Sequence, residues 1–454
     1  MEQINVRQLV MEMLLSVTKD GEYSHIVIRD VQNKYNYLGT QEKAFMKRLF
    51  EGTLERMIEL DYCIDQFSKV KVNKMKPVIR TIMRMGAYQI LYMNSVPDSA
   101  ACNEAVKLAQ KKGFRTLKGF VNGVLRNLSR EKENIAYPSQ EKNFTAYASI
   151  KYSMPEWIVK LWEEQFGKAV TLQILEGLLK EHPVTLRMRT QEQGAISRLQ
   201  DALVKQGGTI KQHPYIDYAY MLEKTDDMSE LPGYESGAFV VQDVSSMLAV
   251  EAIGIPKGSR VLDICAAPGG KSMLAADILN RQSVGSGSVE ARDISEYKVA
   301  FMQENFDRCG LTNVKAVVWD ALEPDESFVG QADVVIADVP CSGLGIIGKK
   351  RDIKYKMTPE AVADIVKLQE DILRRAVSYV KPGGRMLFST CTINKQENEA
   401  HAKWLQEELG MIPVSLDDTL PAQLHSDTTK KGYLQLLPEI HETDGFFISV
   451  FRKE

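Results

Sequence analysis

Two stretches of the chain close an apolar run with a thiol: Ala337-Asp338-Val339-Pro340-Cys341-Ser342-Gly343 and Phe388-Ser389-Thr390-Cys391-Thr392-Ile393-Asn394. One cysteine at a strand end is usually a small packing residue. Two, each at the carboxyl edge of what reads as one sheet, point instead to covalent chemistry, because a thiolate is strongly nucleophilic and its pKa is readily lowered by its surroundings. The residues alone do not say which of the two attacks.

A third stretch, Gly258 to Ser272 (GSRVLDICAAPGGKS), reads as a strand carrying Asp263, then a tight loop of small residues, then a helix start. Glycines let a ligand approach the backbone, and the free N–H groups of a helix start favour an anionic group such as a carboxylate. The pattern is not GxGxxG, so a nicotinamide cofactor is not the first expectation. The loop Cys265, Ala266, Ala267, Pro268, Gly269, Gly270 and Lys271 is the expected cofactor cradle. Gly269 and Gly270 would run beside an amino-acid moiety, and Lys271 would meet a carboxylate or cap locally. Asp293 ends a second apolar run, where a carboxylate can accept from both ribose hydroxyls. Asp320 ends a third and would accept from an adenine amino group. Together these acids and glycines suggest S-adenosylmethionine (AdoMet).

The elements that must hold these residues alternate strand and helix. SRVLDIC, GSVEARD, VKAVVWD, ADVVIADVP and GRMLFSTC are apolar or alternating runs separated by helical segments, the pattern of a doubly wound, largely parallel α/β sheet. Ligands of such sheets bind beyond the carboxyl ends of the strands, where Asp293, Asp320, Asp338 and Cys391 fall. The expected catalytic domain, Rossmann-like, covers residues 236–454.

Before it, residues 1–130 read as all-helical, with Leu9, Met13, Leu14, Phe45, Leu49, Leu54, Met57 and Ile58 near helical spacing and Thr40 as a helix cap. Two segments there concentrate positive charge: Lys69, Lys71, Lys74, Lys76, Arg80 and Arg84, then Lys107, Lys111, Lys112, Arg115, Lys118, Arg126 and Arg130. Solvated helix faces and an RNA-backbone surface both fit them. Glu131 to about Thr145 is polar and reads as a linker, followed by a small α+β connector over residues 145–235. In the connector Trp157 and Trp162 suit a core, and Arg187 and Arg189 read as exposed strand charges or phosphate contacts.

With 454 residues, 44% hydrophobic and 26% charged, the chain has an ordinary globular composition, and its formal net charge of −3 means that any nucleic-acid binding rests on local charge. No apolar run reaches the roughly 18–20 residues of a membrane span. The amphipathic N-terminus is unlike a signal peptide. Six scattered cysteines suit reduced cytoplasmic thiols rather than a disulfide framework or a metal site, so no metal and no membrane are expected.

The segment Met83 to Leu128, with Asn103-Glu104-Ala105-Val106 and Val121-Asn122-Gly123-Val124-Leu125-Arg126, resembles the NusB-like RNA-binding helical domain, from about Val6 to Leu128. The paired Pro-Cys and Thr-Cys motifs resemble the RNA cytosine-C5 methyltransferase family. Gln242-Asp243-Val244-Ser245-Ser246 and Asp444-Gly445-Phe446-Phe447 match it too. The resemblance implies Cys391 as the nucleophile at cytosine C6. It implies Cys341 as the group that assists proton removal or adduct release, and Asp338 as the contact to the N3/N4 edge. A NusB-like front end on this catalytic domain resembles the branch acting on 16S rRNA. A stacked duplex conceals C5 and C6, so a single-stranded or loop cytosine is the expected target, and a monomeric enzyme is expected. The chain departs from the family in Lys395, where proline is common, and in Tyr355, in place of tryptophan. In the intervening loop Arg351 and Lys354 read as phosphate contacts or flexible surface charge. Two alternatives stand beside this reading: a cytosine-C5 methyltransferase of tRNA, and a non-catalytic RNA-binding assembly factor.

Overall fold

The computed structural model describes residues 4–180, 183–189, 194–223, 228–283, 285 and 287–454. It divides into two units, Met1–Lys180 with Ile347–Met357, and Glu181–Ile346 with Thr358–Glu454.

The first unit is helical. Its core is built from the stripes legible in the sequence: Leu9, Met13 and Leu14 of the helix Val6–Thr18, Leu49 and Leu54 of Thr40–Glu55, and Leu125 and Leu128 of Lys118–Glu131 are all buried in one cluster. Each such side chain contributes about 1.5–3 kcal/mol of burial. The helix expected to be capped by Thr40 begins with Thr40 and is capped one residue earlier. Gly39 has extended backbone (φ −64°, ψ 156°), and its N–H donates to Glu42 Oε2 at 3.2 Å. The expected linker is not a free tether. Tyr137 donates to the buried Glu59 at 2.7 Å, and Ala136 O accepts from Tyr62 at 2.7 Å, which fastens the polar stretch to the helices. Trp162 lies fully inside this unit, as its spacing suggested, and Trp157 is half-buried. The lysines of the two basic segments at 69, 71, 74, 76, 107, 111 and 118, with Arg115, Arg126 and Arg130, are exposed. Arg84 differs: it is held in a two-pronged pair with Asp61 at 2.6 and 2.7 Å.

The segment Ile347–Met357 belongs to this helical unit, although it lies in sequence between strands of the other. Lys354 is 2% exposed, and its Nζ donates to Glu55 O at 2.7 Å and Ser153 O at 2.6 Å. Arg351 pairs with Glu51 at 3.3 Å and Glu55 at 3.2 Å, while Tyr355 donates to Leu54 O at 2.8 Å and packs on the helical core. Neither expectation for Arg351 and Lys354 survives, since both charges are spent on internal partners. Burial pushes the Lys354 ammonium down to about 7. The unfolded chain therefore holds more protons than the folded one between about pH 7 and the ordinary lysine value near 10.4, and stability rises with pH across that window. Wild type is expected to gain in denaturation midpoint relative to Lys354→Met as pH rises from 7 to 10. A constant difference would mean the amine is not desolvated.

The second unit opens with an antiparallel sheet of four strands, β1 (Val184–Met188), β2 (Thr209–His213), β3 (Ile216–Glu223) and β4 (Phe239–Val241), in the order β2-β3-β1-β4. The helix Ala195–Lys205 packs Leu199 and Leu203 against Leu186 and Leu222 of this sheet.

The larger sheet contains all five runs anticipated from the sequence: β5 (Arg260–Asp263), β6 (Ser288–Asp293), β7 (Val314–Val318), β8 (Ala332–Asp338) and β9 (Val380–Thr390). With β10 (Ile412–Pro413), β11 (Tyr433–Leu436) and β12 (Phe446–Arg452) the order is β10-β12-β9-β8-β5-β6-β7, and β11 pairs with β12. β5 to β9 pair in parallel, whereas β12 runs antiparallel to β9. Side chains alternate between two covered faces. Val261, Ile336 and Leu387 join Leu274 and Phe306 in one core, while Leu262, Val335 and Phe388 join Leu373 and Leu405 in another. Strand order reverses between β5 and β8, the kind of switch point beyond whose carboxyl ends ligands of such sheets bind.

Candidate active site

β5 ends at Asp263, and the chain then turns through the small-residue loop into the helix Gly270–Gln282. Gly269 caps that helix at φ +96°, a conformation that L side chains rarely adopt, and a Cβ there would lie 3.1 Å from both Met302 and Phe306. Ala266 N donates to Arg292 O at 2.7 Å, which ties the loop to β6, and Gly270 backs onto Gln242. Asp263 is fully buried. Its Oδ2 accepts from Ser272 Oγ at 2.6 Å, its Oδ1 has no partner among the described residues, and burial pushes the carboxyl up to about 7. Burial also raises the Cys265 thiol. Lys271 Nζ reaches Asp338 Oδ2 at 2.6 Å, so the carboxylate it meets belongs to the protein. Ser389 Oγ holds the other oxygen of Asp338 at 2.8 Å.

Asp293 stands at the end of β6, 9% exposed, and accepts from Ser295 N at 3.0 Å. Ile294 beside it is 65% exposed, an apolar surface next to a ribose-type acceptor that the pattern of acids did not single out. Asp320 lies just past the end of β7 and caps its own turn by accepting from Leu322 N at 2.9 Å.

The two candidate thiols come together. Cys341 follows β8 and Cys391 follows β9, and because those strands are neighbours their sulfurs lie 3.2 Å apart. Both residues are half-buried. The Cys341 thiol is raised well above the ordinary cysteine value, first by its hydrogen bond with Cys391, then by burial and by the negative charges around it. Asp338 lies on β8 only three positions before Cys341, so the structure gathers Asp338, Cys341, Cys391 and Lys271 at one end of adjoining strands. Asp293 stands one strand further, at the tip of β6.

Sequence reasoning passed over the residues that hold this arrangement. The largest omission is Glu397, fully buried among the two cysteine segments. It sits in Asn394-Lys395-Gln396-Glu397-Asn398, which reads as a polar surface turn. A second is the contact between Gly345 and Gly445. Gly345 N donates to Cys391 O at 3.1 Å, Gly445 N donates to Gly345 O at 2.9 Å, and a Cβ on Gly345 would lie 1.9 Å from Gly445 O. Gly345→Ala must displace the Cys391 segment, and overpacking of this kind costs about 1–3 kcal/mol. It is expected to lower activity more than a matched alanine at Gly119, a helical glycine where a Cβ meets nothing within 4 Å among the described residues. Equal losses in initial-rate assays would show that the contact is immaterial. A third is Asp277, which pairs with Arg187 at 2.5 Å and Arg189 at 2.9 Å. Both arginines therefore serve the interior of the unit, neither as exposed strand charges nor as phosphate contacts. Among the described residues no group of histidine, cysteine and acidic side chains could hold a metal ion, and no helix is long and apolar enough to cross a membrane.

A doubly wound sheet with a glycine cradle, a ribose-type acid and reactive side chains at the carboxyl edge defines the class of nucleoside-cofactor transferases. The family described as 16S rRNA methyltransferase RsmB/F matches residues 252–452, the NusB family matches 4–130, and the RsmF/B-like ferredoxin-like domain matches 154–229. A probable ribosomal RNA small subunit methyltransferase B of Bacillus subtilis is 34% identical over the whole of both chains. The ribosomal RNA small subunit methyltransferase B of Vibrio cholerae is 29% identical over 99% of this chain and 98% of its own. The crystal structure of PH0851 shares the fold over 99% of both chains, at a TM-score of 0.78 and 20% identity. A methyltransferase homologue from Pyrococcus horikoshii covers 68% of this chain and 99% of its own, with a TM-score of 0.58 and 25% identity. The chain belongs to the RsmB/F 16S rRNA methyltransferase family, and its cofactor is AdoMet. The residues present fit that cofactor: a carboxylate at the β6 tip for ribose hydroxyls, helix-start N–H groups for a carboxylate, and an unpartnered buried oxygen on Asp263 below the loop.

Proposed function

We propose that the protein methylates C5 of one cytosine in 16S rRNA through a covalent adduct between Cys391 and cytosine C6. The observation that carries this reading is the pair of sulfurs 3.2 Å apart, with Asp338 on the strand leading to one of them. Cytosine C5 is too weak a nucleophile to take a methyl group unaided. Addition of the Cys391 thiolate to C6 turns C5 into an enamine-like carbon. Bound AdoMet supplies an electrophilic methyl group. The C5 proton then leaves to a base, and the C6–S bond breaks, returning its electron pair to sulfur and restoring the ring double bond.

Two thiols at this distance resist ionising together, so the pair offers one thiolate at a time. The family resemblance assigns that thiolate to Cys391 and leaves Cys341 to assist proton removal or release. Asp338 keeps lone pairs free beyond those used by Lys271 and Ser389, enough to accept from the N3/N4 edge of the base. Cys265, Ala266, Ala267, Pro268, Gly269, Gly270 and Lys271 would cradle the amino-acid end of AdoMet, Asp293 would accept from the ribose hydroxyls and Asp320 from the adenine amino group, and Ile294 would offer an apolar side chain to the ring.

The target is a single-stranded or loop cytosine extruded from its neighbours, since a stacked duplex conceals C5 and C6. Exposed lysines and arginines of a NusB-like domain at 1–130 grip the surrounding phosphates. A connector at 145–235 and a catalytic domain at 236–454 complete a monomeric cytoplasmic enzyme. Incubation with AdoMet and unmodified small-subunit rRNA, followed by mapping of 5-methylcytosine, tests the reading. One modified position is expected; methylation of tRNA alone would overturn the substrate, and AdoMet binding without methylation of any RNA would overturn the activity.

A further inference from the structure

The two cysteine segments are joined by one acidic side chain. Glu397 is fully buried, and its Oε1 accepts from Ser342 N at 2.8 Å and from Gln369 Nε2 at 3.3 Å. Its Oε2 accepts from Ser342 Oγ at 2.6 Å, Asn394 Nδ2 at 3.0 Å and Thr392 Oγ1 at 3.4 Å. Ser342 is the residue after Cys341, and Thr392 is the residue after Cys391. Gln369 also donates to Pro340 O at 2.8 Å, which fixes the residue before Cys341. Ser342 Oγ and Thr392 Oγ1 lie 2.7 Å apart, so the hydroxyls flanking the two sulfurs meet on the same carboxylate.

A buried carboxylate is costly unless donors satisfy it, and these donors come from both segments at once. We infer that Glu397 is a positioning residue of this site, whose carboxylate locks the Cys341 and Cys391 segments together and holds the two sulfurs in contact. Glu397 is also among the groups whose negative charge raises the Cys341 thiol. The consequence for catalysis rests on the cysteine roles proposed above; the clamp itself does not.

Glutamine in place of Glu397 keeps the volume and removes the charge. An amide accepts at one end only, while both oxygens of Glu397 face donors, so one segment loses its hold. Glu397→Gln is expected to lower kcat by about 10–100-fold, as small misplacements of reacting groups do, with KM for RNA and AdoMet within about threefold of wild type. In the full-length protein without RNA, iodoacetamide labelling resolved by peptide mass is expected to show Cys341 gaining reactivity relative to Cys391. Ser342→Ala, which removes one donor and leaves the charge, is expected to shift kcat in the same direction by a smaller factor. It decides the matter alone if Glu397→Gln does not fold.

A merely structural role would lower the melting temperature and leave the labelling ratio and kcat where they were, and that result overturns the inference. Wild-type protein that methylates no RNA would defeat the proposed reaction instead, and the labelling ratio would still test the clamp.

Discussion

Alanine at Cys391 is expected to abolish methyl transfer, on the order of 10⁴-fold or more, because on the proposed mechanism it removes the thiol that forms the intermediate. AdoMet binding is expected to persist, since the cradle at the end of β5 and Asp293 at the end of β6 stand on other strands than Cys391. Alanine at Cys341 is expected to give a different defect. Cys391 remains able to add to C6, but the step that frees the product loses its thiol partner at 3.2 Å, so RNA stays attached to the protein. Denaturing electrophoresis separates the outcomes: a slow-migrating RNA–protein species with Cys341→Ala and AdoMet, none with Cys391→Ala. The reverse pattern would exchange the two roles, and no adduct with either variant would remove the covalent mechanism.

Asp277→Ala is expected to be the most destabilising single change in the second unit. Arg187 is 2% exposed, with its Nη1 on Asp277 Oδ2 at 2.5 Å and its Nε on Gln242 Oε1 at 2.7 Å. Arg189 donates to both oxygens of the same carboxylate at 2.9 Å. Removing the acid leaves a desolvated guanidinium with no counter-charge, a loss of about 3–5 kcal/mol. For a unit of this size that is a fall in melting temperature of about 10 °C. Exchanging Arg187 as well removes the more deeply buried of the two stranded charges and leaves Arg189 with the carbonyls of Gly237 and Cys309, so Arg187→Leu with Asp277→Ala is expected to melt above Asp277→Ala alone. The effect should extend to AdoMet affinity, because Gln242 packs on Gly270 at the mouth of the cradle. A double variant that melts no higher than Asp277→Ala would show that the arginine is not the source of the loss.

The five parallel strands were legible because each is a short apolar or alternating run bounded by glycine, proline, an acid or a cysteine, and their apolar side chains enter two cores. The cysteines and the strand-end acids could be singled out for the same reason: reactive side chains directly after apolar runs must fall on one edge of the sheet. What escaped was a set of charged residues turned inward away from the strand tips. Glu397, Asp277, Arg187 and Lys354 look like surface residues in their own neighbourhoods, and their burial is decided by partners far along the chain, such as Ser342 for Glu397 and Glu55 for Lys354. Local pattern carries no trace of such pairings. The cap at Gly39 was missed on a smaller scale, because a hydroxyl on Thr40 is a conspicuous sign and a bare backbone N–H bound by Glu42 is not.

The placement of Ile347–Met357 within the helical unit bears on how such a chain can be taken apart, in the laboratory or by evolution. A fragment starting after residue 182 would retain every strand of both sheets, yet a few residues beyond Cys341 it would carry Lys354 and Tyr355 stripped of the carbonyls at Leu54, Glu55 and Ser153 that receive them. The front half is therefore no interchangeable handle on a self-sufficient engine. A lineage that trades it for another module must rewrite this short internal passage in the same event, or inherit an orphaned segment shortly after Cys341 in the chain.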